Sequence, residues 1–506
     1  MSEKQVRVRF APSPTGIFHL GNIRTALYNY LLAKKYNGQF ILRIEDTDRS
    51  RFVPKAEEYI INSLKWLNIM PDEGIINGGD YGPYRQSERK DLYLKYAQQL
   101  IDSGYAYYAF DSHEELEEMH KKMENVKITS PQYNAISREW MKNSLTLSEA
   151  EVKSRIDNGE EYVIRFKCPK SGTVRFHDKI RGWIKIDVST LDDKVLIKSD
   201  GMATYHLAAL VDDYLMKISH VIRGEEWLPS APLHVLMYQA FGWEKDMPEF
   251  VHLPLLLKPS GQGKLSKRDA DELGFPIYVR SWDDEVNNKH IKGYDELGYL
   301  PDAVINFVAL MGWSPGNNQE LFTREELINA FSLDHISKSG ARFNIKKAIW
   351  FNHQFIIREP IENITNIIKN KLKDENIICN DDNKILKIGQ LVQERSNYLT
   401  DIWMHSKVFF IAPTTYEDYL QYCSSVSIDI IKEFIKDMNI IDYNILHDNF
   451  SKLLEQNNLK LQDVMPAMRI ALFGIHSGPD VMKSILILGK DETIERFNKF
   501  FRSLYN

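Results

Sequence analysis

Apolar residues recur along the first 70 positions with two different spacings. Residues 6–10 (VRVRF) alternate apolar and basic side chains, which predicts a β-strand with Arg9 near its carboxyl end. Apolar residues at helical spacing over 20–31 predict a helix, and the apolar run at 40–44 predicts a second strand. A further helical stripe follows at 60–67. This β-α-β-α order predicts a parallel sheet whose ligands bind beyond the carboxyl ends of its strands.

Polar side chains stand where the predicted strands end. Arg9 ends the first strand, Glu45 follows the second, and Arg223 ends a strand predicted at 219–223. Ser13 lies in the turn after the first strand. Because arginine can bind a carboxylate through two parallel hydrogen bonds, Arg9 and Arg223 together predict an acidic ligand in one crevice. Ordinary salt bridges are the alternative for each arginine.

Two segments have the character of phosphate sites. The turn before the first helix leads His19 and Gly21 into a helix N-terminus, whose unpaired N–H groups suit a phosphate. Farther along, the glycine-containing loop 255–269 carries Lys264 and Lys267 and could close over a triphosphate. A capping or packing histidine and an ordinary solvated loop are the alternatives.

Composition narrows the class of protein. A chain of 506 residues with 43% hydrophobic and 26% charged residues is expected to form several globular domains. No stretch approaches the roughly 18 apolar residues of a membrane span, and the first ten residues lack an export signal, so a cytoplasmic protein is predicted. The three cysteines form no C-x-x-C pair. With a net charge of −6, any nucleic-acid contact requires a local basic patch.

The element pattern predicts an α/β Rossmann-type catalytic domain interrupted by an inserted α+β domain and followed by all-α C-terminal domains. The segment between the two halves of the sheet is too long for a crossover loop and includes a predicted strand in EYVIRFKCP. Helix-length apolar patterns dominate beyond position 341. The predicted segments are 1–101, 102–200, 201–257, 258–340 and 341–506.

The string FAPSPTGIFHLGNIRTAL at 10–27 resembles the HIGH-motif region of class I aminoacyl-tRNA synthetases, in the form typical of their bacterial-type glutamyl branch. The signature falls on 19–22, where Asn22 replaces the final histidine of the class motif. Lys264 to Arg268 (KLSKR) resembles the KMSKS motif of the same class and follows in the required order. With similar strings at 200–213 and 223–234, the likeness covers most of residues 5 to 350.

This resemblance implies ATP-dependent ligation of L-glutamate to the 3′-terminal adenosine of tRNA(Glu) through a glutamyl-adenylate. The implied catalytic residues are His19, Asn22, Lys264 and Lys267. The implied ATP-binding residues are His19, Gly21, Asn22, Glu226, Lys264, Ser266 and Lys267. The implied substrate-binding residues are Arg9, Ser13, Glu45, Tyr205 and Arg223. Magnesium accompanies ATP, and members of the branch require bound tRNA before they form the adenylate.

The resemblance also assigns roles to the predicted domains. The insertion at 102–200 corresponds to an acceptor-end binding domain, 258–340 to a stem-contact domain and 341–506 to an anticodon-binding domain. A monomer is the implied state. Two departures matter: residues 108–111 lack the Cys-x-Cys of zinc-containing relatives, so no structural zinc is predicted, and Ala209 replaces an asparagine that helps to hold the substrate amino group.

Three alternatives remain at this point. A glutaminyl enzyme is the nearest, although PSPTG at 12–16 and the helical C-terminal half favour glutamate. A shorter paralogue that modifies a tRNA nucleoside would lack that half, and a non-catalytic tRNA-binding protein would not need His19, Lys264 and Lys267. Whether tRNA(Gln) is also charged stays open.

Overall fold

The computed structural model describes residues 5–125, 131–266, 269, 275–284, 288–416, 421–436, 438 and 442–504. The chain forms two compact units. The first comprises Met1–Tyr294 and Val304–Ile345, and the second comprises Asp295–Ala303 and Lys346–Asn506.

The described strands and helices are numbered in chain order. The strands are β1 (Arg7–Phe10), β2 (Gln39–Leu42), β3 (Glu73–Gly74), β4 (Ala106–Ala109), β5 (Val163–Phe166), β6 (Thr173–Asp178), β7 (Gly182–Asp187), β8 (Val195–Ile197), β9 (His220–Gly224), β10 (Glu249–Leu253), β11 (Leu256–Leu257), β12 (Trp282–Asp284), β13 (Lys289–Ile291) and β14 (Ala341–Arg342). The helices up to position 345 are α1 (Leu20–Lys35), α2 (Ala56–Trp66), α3 (Lys90–Asp102), α4 (His113–Asn125), α5 (Glu149–Asp157), α6 (Tyr205–Leu215), α7 (Ala231–Ala240), α8 (Tyr294–Leu297), α9 (Pro301–Ala309) and α10 (Arg324–Ala330). The later helices are α11 (Ile345–Arg358), α12 (Ile361–Asp374), α13 (Asp382–Gln393), α14 (Leu399–Ser406), α15 (Ser425–Lys436), α16 (Tyr443–Gln456), α17 (Leu461–Phe473), α18 (Val481–Leu488) and α19 (Lys490–Ser503).

A seven-stranded sheet is the centre of the first unit. Its strand order is β3-β2-β1-β9-β10-β6-β7, and every neighbouring pair from β3 to β6 is parallel. The chain builds outward from β1 to β3 and then returns to place β9 on the other side of β1. The predicted Rossmann-type fold class is therefore confirmed.

The hairpin of β6 and β7 extends this sheet. The two strands pair antiparallel, and β6 joins β10 where Asp178 lies opposite Phe250. The sequence placed these residues in the insertion at 102–200, but they belong to the edge of the central sheet. Their partner strand lies far downstream, and local alternation carries no information about which strand will be the neighbour.

The rest of the insertion carries its own three-stranded antiparallel sheet, in the order β4-β5-β8. The strand predicted in EYVIRFKCP is β5, and its Ile164 and Phe166 pack with Tyr93 of α3 and Leu207 of α6 in one core. A smaller core lies around Met119 on α4. The insertion is thus anchored on two helices that flank it in the chain.

The described residues of the second unit form helices and no β-strand. One core centres on Ile364 and Ile388 of α12 and α13, and another on Phe450, Met468 and Phe497 of α16, α17 and α19. The prediction of an all-α C-terminal half is confirmed. In the part of the chain that the structure describes, no helix combines the length and apolarity needed to cross a bilayer.

A buried carboxylate joins α3 to α6. Asp212 is completely buried, and its Oδ1 accepts a hydrogen bond from Arg89 Nε at 2.8 Å. Its Oδ2 accepts from Tyr93 Oη at 2.8 Å and from Gln86 Nε2 at 3.0 Å. These partners satisfy the charge and the lone pairs of Asp212 in a site without water access.

We expect Asp212→Ala to lower the free energy of unfolding by about 3–5 kcal/mol, because removing one partner of a buried ion pair leaves the other charge uncompensated. Urea denaturation followed by tryptophan fluorescence measures this change. Asp157→Ala, an exposed position at the end of α5, is the matched control and should change the same quantity by less than about 0.5 kcal/mol. Equal stability of the two variants would contradict the role given to Asp212.

Candidate active site

One cavity of about 280 Å³ lies at the carboxyl ends of β1 and β9, the two strands between which the sheet changes its direction of growth. Such a switch point is where open α/β sheets bind ligands. The residues that line the cavity include ten that the sequence predicted as site residues. They are Arg9, Ser13, His19, Gly21, Asn22, Glu45, Tyr205, Arg223, Glu226 and Lys264.

The other two predicted residues are Ser266 and Lys267. Ser266 does not line the cavity, and its N–H and hydroxyl both donate to Asp269 Oδ2, at 2.7 and 2.5 Å. Lys267 lies outside the described residues. Ser266 therefore shapes its own loop in this structure.

The start of α1 forms one wall of the cavity. His19 is the N-cap residue: its Nδ1 accepts from the N–H of Gly21 at 3.0 Å, and Asn22 Oδ1 accepts from the N–H of His19 at 3.2 Å. The capping role considered for this histidine is thus real. A Cβ at Gly21 would lie 2.9 Å from His19 Cε1, so only glycine leaves the ring and the helix terminus in this arrangement. Capping and a place in the cavity coexist.

Arg9 enters the cavity with its charge already balanced. Its Nε and Nη2 bond the two carboxylate oxygens of Asp213 at 2.9 and 3.2 Å, and both residues are buried. Arg43 bonds the same Asp213 at 2.9 Å and Glu45 at 3.0 Å. Asp213 of α6, which the sequence did not predict as a partner, thus already balances the charge of Arg9, and only the charge of Arg223 is left for a ligand anion. The assignment of Arg9 to the substrate stays a prediction.

The pKa values of the two carboxyl groups in this network shift in opposite directions. Burial would raise the pKa of Asp213, but the charges of Arg9 and Arg43 lower it below its ordinary value. Burial raises the pKa of Glu45, and the attraction of Arg43 and Arg9 only partly offsets that effect. Asp213 is thus the carboxylate that balances the arginine charges, while a further cation in the cavity would stabilise the charged form of Glu45.

Arg223 occupies a different electrostatic setting. It is 6% exposed, and its guanidinium donates to Tyr205 Oη at 2.6 Å, to His252 Nε2 at 3.0 Å and to the carbonyl of Trp227 at 3.3 Å. None of these partners is an anion. Among the described residues no carboxylate lies within ion-pair distance of Arg223.

The number of N–H groups on Arg223 shows what it can still bind. A guanidinium has five, one on Nε and two on each terminal nitrogen. The three contacts use one on each nitrogen. One N–H therefore remains on each terminal nitrogen in a residue that lines the cavity. This geometry and the uncompensated charge suit a carboxylate.

Tyr205 begins α6 and holds Arg223 against the cavity. Its ring lies 4.1 Å from that of Trp227, measured between centroids, and burial raises the pKa of its hydroxyl. Ala209, one turn later, is 1% exposed and does not line the cavity. Ala209 therefore offers no polar contact in place of the asparagine of some relatives.

The loop after β10 supplies the cationic wall. Lys264 Nζ lies 3.7 Å from Glu226 Oε1 across the cavity mouth. Lys258 Nζ bonds Asp269 Oδ1 at 2.6 Å, and Gly261 and Gly263 turn the chain with φ of 81° and 79°. Lys264 is thus brought to the same cavity as the start of α1.

Several residues of this site were not predicted from the sequence. Asp213 and Arg43 form the charge network, Trp227 lines the cavity beside Tyr205, and His252 contacts Arg223 from outside the cavity. A signal existed for two of them: Asp213 interrupts an apolar helix, and Arg43 interrupts an apolar strand. Charges in such places must be paired. Trp227 and His252 gave no comparable signal.

Known protein families match almost the whole chain. Residues 5–350 match the family model of the catalytic domain of class I tRNA synthetases (E and Q). Residues 358–501 match the model of an anticodon binding domain.

Individual relatives and solved structures agree with these families. The chain is 56% identical to the glutamate–tRNA ligase of Amoebophilus asiaticus over 99% of its length and 98% of that protein. It is 50% identical to that of Cytophaga hutchinsonii over 98% of its length and 97% of that protein. A crystal structure of a glutamate tRNA ligase from Elizabethkingia meningosepticum in complex with its amino acid superposes with a TM-score of 0.90 at 46% identity, covering 99% of this chain and all of the other. The chain belongs to the glutamate–tRNA ligase family of the class I tRNA synthetases.

Proposed function

We propose that this protein activates L-glutamate with ATP and transfers it to the 3′-terminal adenosine of tRNA(Glu). One observation carries the proposal: a buried, uncompensated Arg223 shares a cavity with a helix N-terminus and with Lys264. The first suits a substrate carboxylate, and the other two suit phosphate groups. The glutamate–tRNA ligases that match the chain over its full length support the same reaction.

In this proposal each end of the amino acid has its own partners. The side-chain carboxylate accepts from Arg223 and Tyr205, with a further N–H from Nη1 of Arg9, which makes no hydrogen bond within the described residues. The ammonium group lies between Ser13 and Glu45. The α-carboxylate then remains available as the nucleophile, and no protein nucleophile is needed.

The phosphates of ATP lie at the start of α1. The N–H groups there and the side chains of His19 and Asn22 orient the α-phosphate for in-line attack, while Lys264 stabilises the charge that develops on pyrophosphate. Lys267 has the same proposed role but lies outside the described residues. Glu226 and Ser266 complete the proposed ATP-binding set.

The structure is compatible with magnesium bound through the nucleotide. Among the described residues there is no group of three His, Cys, Asp or Glu side chains that could cage a metal ion. Magnesium prefers to keep water and substrate phosphate oxygens as ligands, so ATP itself would hold it, with Glu226 as the acidic group on that wall. When bound, the ion neutralises the triphosphate. The absence of structural zinc stays a prediction.

The remaining domains would serve the tRNA. The insertion is proposed to bind the acceptor end, residues 258–340 to contact the stem, and residues 341–506 to bind the anticodon, for which the match to an anticodon binding domain is the support. Monomeric state and a cytoplasmic location stay predictions. The shorter nucleoside-modifying paralogue is disfavoured because the match continues to residue 501.

Charging assays test the proposal directly. With tRNA(Glu) and ATP, we expect kcat/KM for glutamate to exceed that for glutamine by about 10³-fold or more, because a carboxamide leaves the charge of Arg223 unpaired. Comparable glutamine charging, or no charging at all, would contradict it. The same assay with tRNA(Gln) shows whether the second tRNA is also a substrate.

Arg223→Leu should lower kcat/KM for glutamate by about 10²-fold or more, since each hydrogen bond to a charged group contributes about 1.5–3 kcal/mol. Steady-state aminoacylation at saturating tRNA and ATP measures the effect. Arg175→Leu, at an exposed position of β6, is the control and should leave KM for glutamate unchanged. An Arg223→Leu enzyme with the glutamate KM of the wild type would exclude Arg223 as the carboxylate ligand.

Adenylate formation should require tRNA(Glu). Lys264 pairs with Glu226 in this structure, and we propose that tRNA binding moves its ammonium group from Glu226 toward pyrophosphate. ATP–pyrophosphate exchange should be at background with glutamate and ATP alone and should appear on addition of tRNA(Glu). A tRNA for an unrelated amino acid is the control and should give no exchange. Full exchange without any tRNA would refute the requirement.

A further inference from the structure

Arg223 is held from behind by a residue that does not line the cavity. Its Nε donates to His252 Nε2 at 3.0 Å, and the two residues lie opposite each other on the neighbouring strands β9 and β10. His252 is completely buried and takes no part in the cavity wall. Any effect of His252 on a ligand must therefore act through Arg223.

The contact determines the protonation state of His252. An arginine side chain can only donate hydrogen bonds, so His252 Nε2 must present its lone pair, and the ring proton must reside on Nδ1. Nδ1 lies 2.7 Å from Asp178 Oδ2, which accepts that proton. Burial lowers the pKa of His252 and keeps the ring neutral. The tautomer is thus fixed by its two neighbours.

Asp178 is itself tied to the backbone. Its Oδ1 accepts from the N–H groups of Ile180 and Arg181 at 3.0 and 2.9 Å, and its Oδ2 accepts from the N–H of His252 at 3.1 Å. The carboxylate is completely buried at the end of β6. Four hydrogen bonds therefore hold Asp178 in place, and Asp178 in turn orients the imidazole.

The same arrangement preserves the charge of Arg223. The negative charge of Asp178 meets a neutral imidazole instead of the guanidinium, whereas Arg9 contacts its carboxylate Asp213 directly. Arg223 is thereby fixed in orientation without losing its need for an anion. A carboxylate in direct contact would have removed that need, because a paired arginine gains little from a second anion.

We propose that His252, anchored by Asp178, is a positioning and specificity-determining residue: it presents Arg223 to the side-chain carboxylate of the substrate and keeps its charge uncompensated. This inference rests on the proposed glutamate-charging function. It adds a histidine and an aspartate from outside the cavity to the determinants of acidic side-chain selection.

Three variants test the inference in the full-length enzyme, with KM for glutamate, KM for ATP and kcat measured by aminoacylation of tRNA(Glu). H252L removes the acceptor and should raise KM for glutamate at least tenfold while KM for ATP stays within twofold. H252Q should restore KM for glutamate to within threefold of the wild type, because an amide can accept from Arg223 and donate to Asp178. H220L is the control, since His220 lies at the other end of β9, and should leave both constants unchanged.

D178N keeps the test decisive if H252L does not fold. The asparagine amide must place an N–H toward either the backbone donors or His252 Nδ1. In the second orientation His252 Nδ1 must accept, so the ring proton moves to Nε2, where it faces the N–H of Arg223. KM for glutamate should then rise at least fivefold, with KM for ATP unchanged.

Three results would overturn the inference. The first is an unchanged KM for glutamate in H252L, or in D178N where H252L does not fold. The second is a parallel rise of the KM values for glutamate and ATP, and the third is no restoration of KM for glutamate in H252Q. A wild-type enzyme that does not charge glutamate would instead overturn the proposed function. Normal wild-type charging with an unaffected H252L would overturn only the role of His252.

Discussion

The site depends on arginine side chains that are buried at the carboxyl ends of parallel strands. A buried guanidinium is costly unless it is paired, and this protein solves the problem in two ways. Arg9 and Arg43 share Asp213, with Glu45 as the second carboxylate, so β1, the end of β2 and α6 are joined by one balanced network. That network places the strand ends against α6 and gives the cavity its rigid wall.

Arg223 is the exception, and in the proposed function its charge makes the cavity selective. Neutral partners hold it, and the nearest carboxylate behind it is separated by the ring of His252. Three hydrogen bonds to neutral acceptors lower the cost of burying this charge, and a substrate carboxylate would complete its pairing. Discrimination between an acid and its amide then follows from the energetic penalty of leaving a buried cation unmatched. The arginines that stabilise the site, Arg9 and Arg43, thus differ from the arginine proposed to select the substrate, Arg223.

The side of the cavity proposed to bind phosphate offers backbone N–H groups more than charged side chains. His19 and Asn22 cap α1 reciprocally, and Gly21 keeps the space beside them open. The helix terminus is therefore ordered before any nucleotide binds, so that less conformational entropy is lost on binding. Lys264 on its loop adds a positive charge that is balanced by Glu226. In the proposed function, the preformed helix terminus binds phosphate and Lys264 stabilises the charge that develops on pyrophosphate.

A family resemblance supplied Asn22, Tyr205 and Glu226 among the ten predicted residues that help to line the cavity. The sequence by itself determined the order of strands and helices at the start of the Rossmann-type core, the helical C-terminal half and the positions of Arg9, Ser13, Glu45 and Arg223 beside strand ends. Those features are local: alternation, helical spacing, and polar residues that follow strands. Only the tertiary structure decided that Arg9 is neutralised by Asp213, that His252 and Asp178 stand behind Arg223, and that β6 and β7 extend the central sheet. Each of these joins residues distant in the chain, and a periodic pattern specifies which face of an element is buried but not which element will cover it.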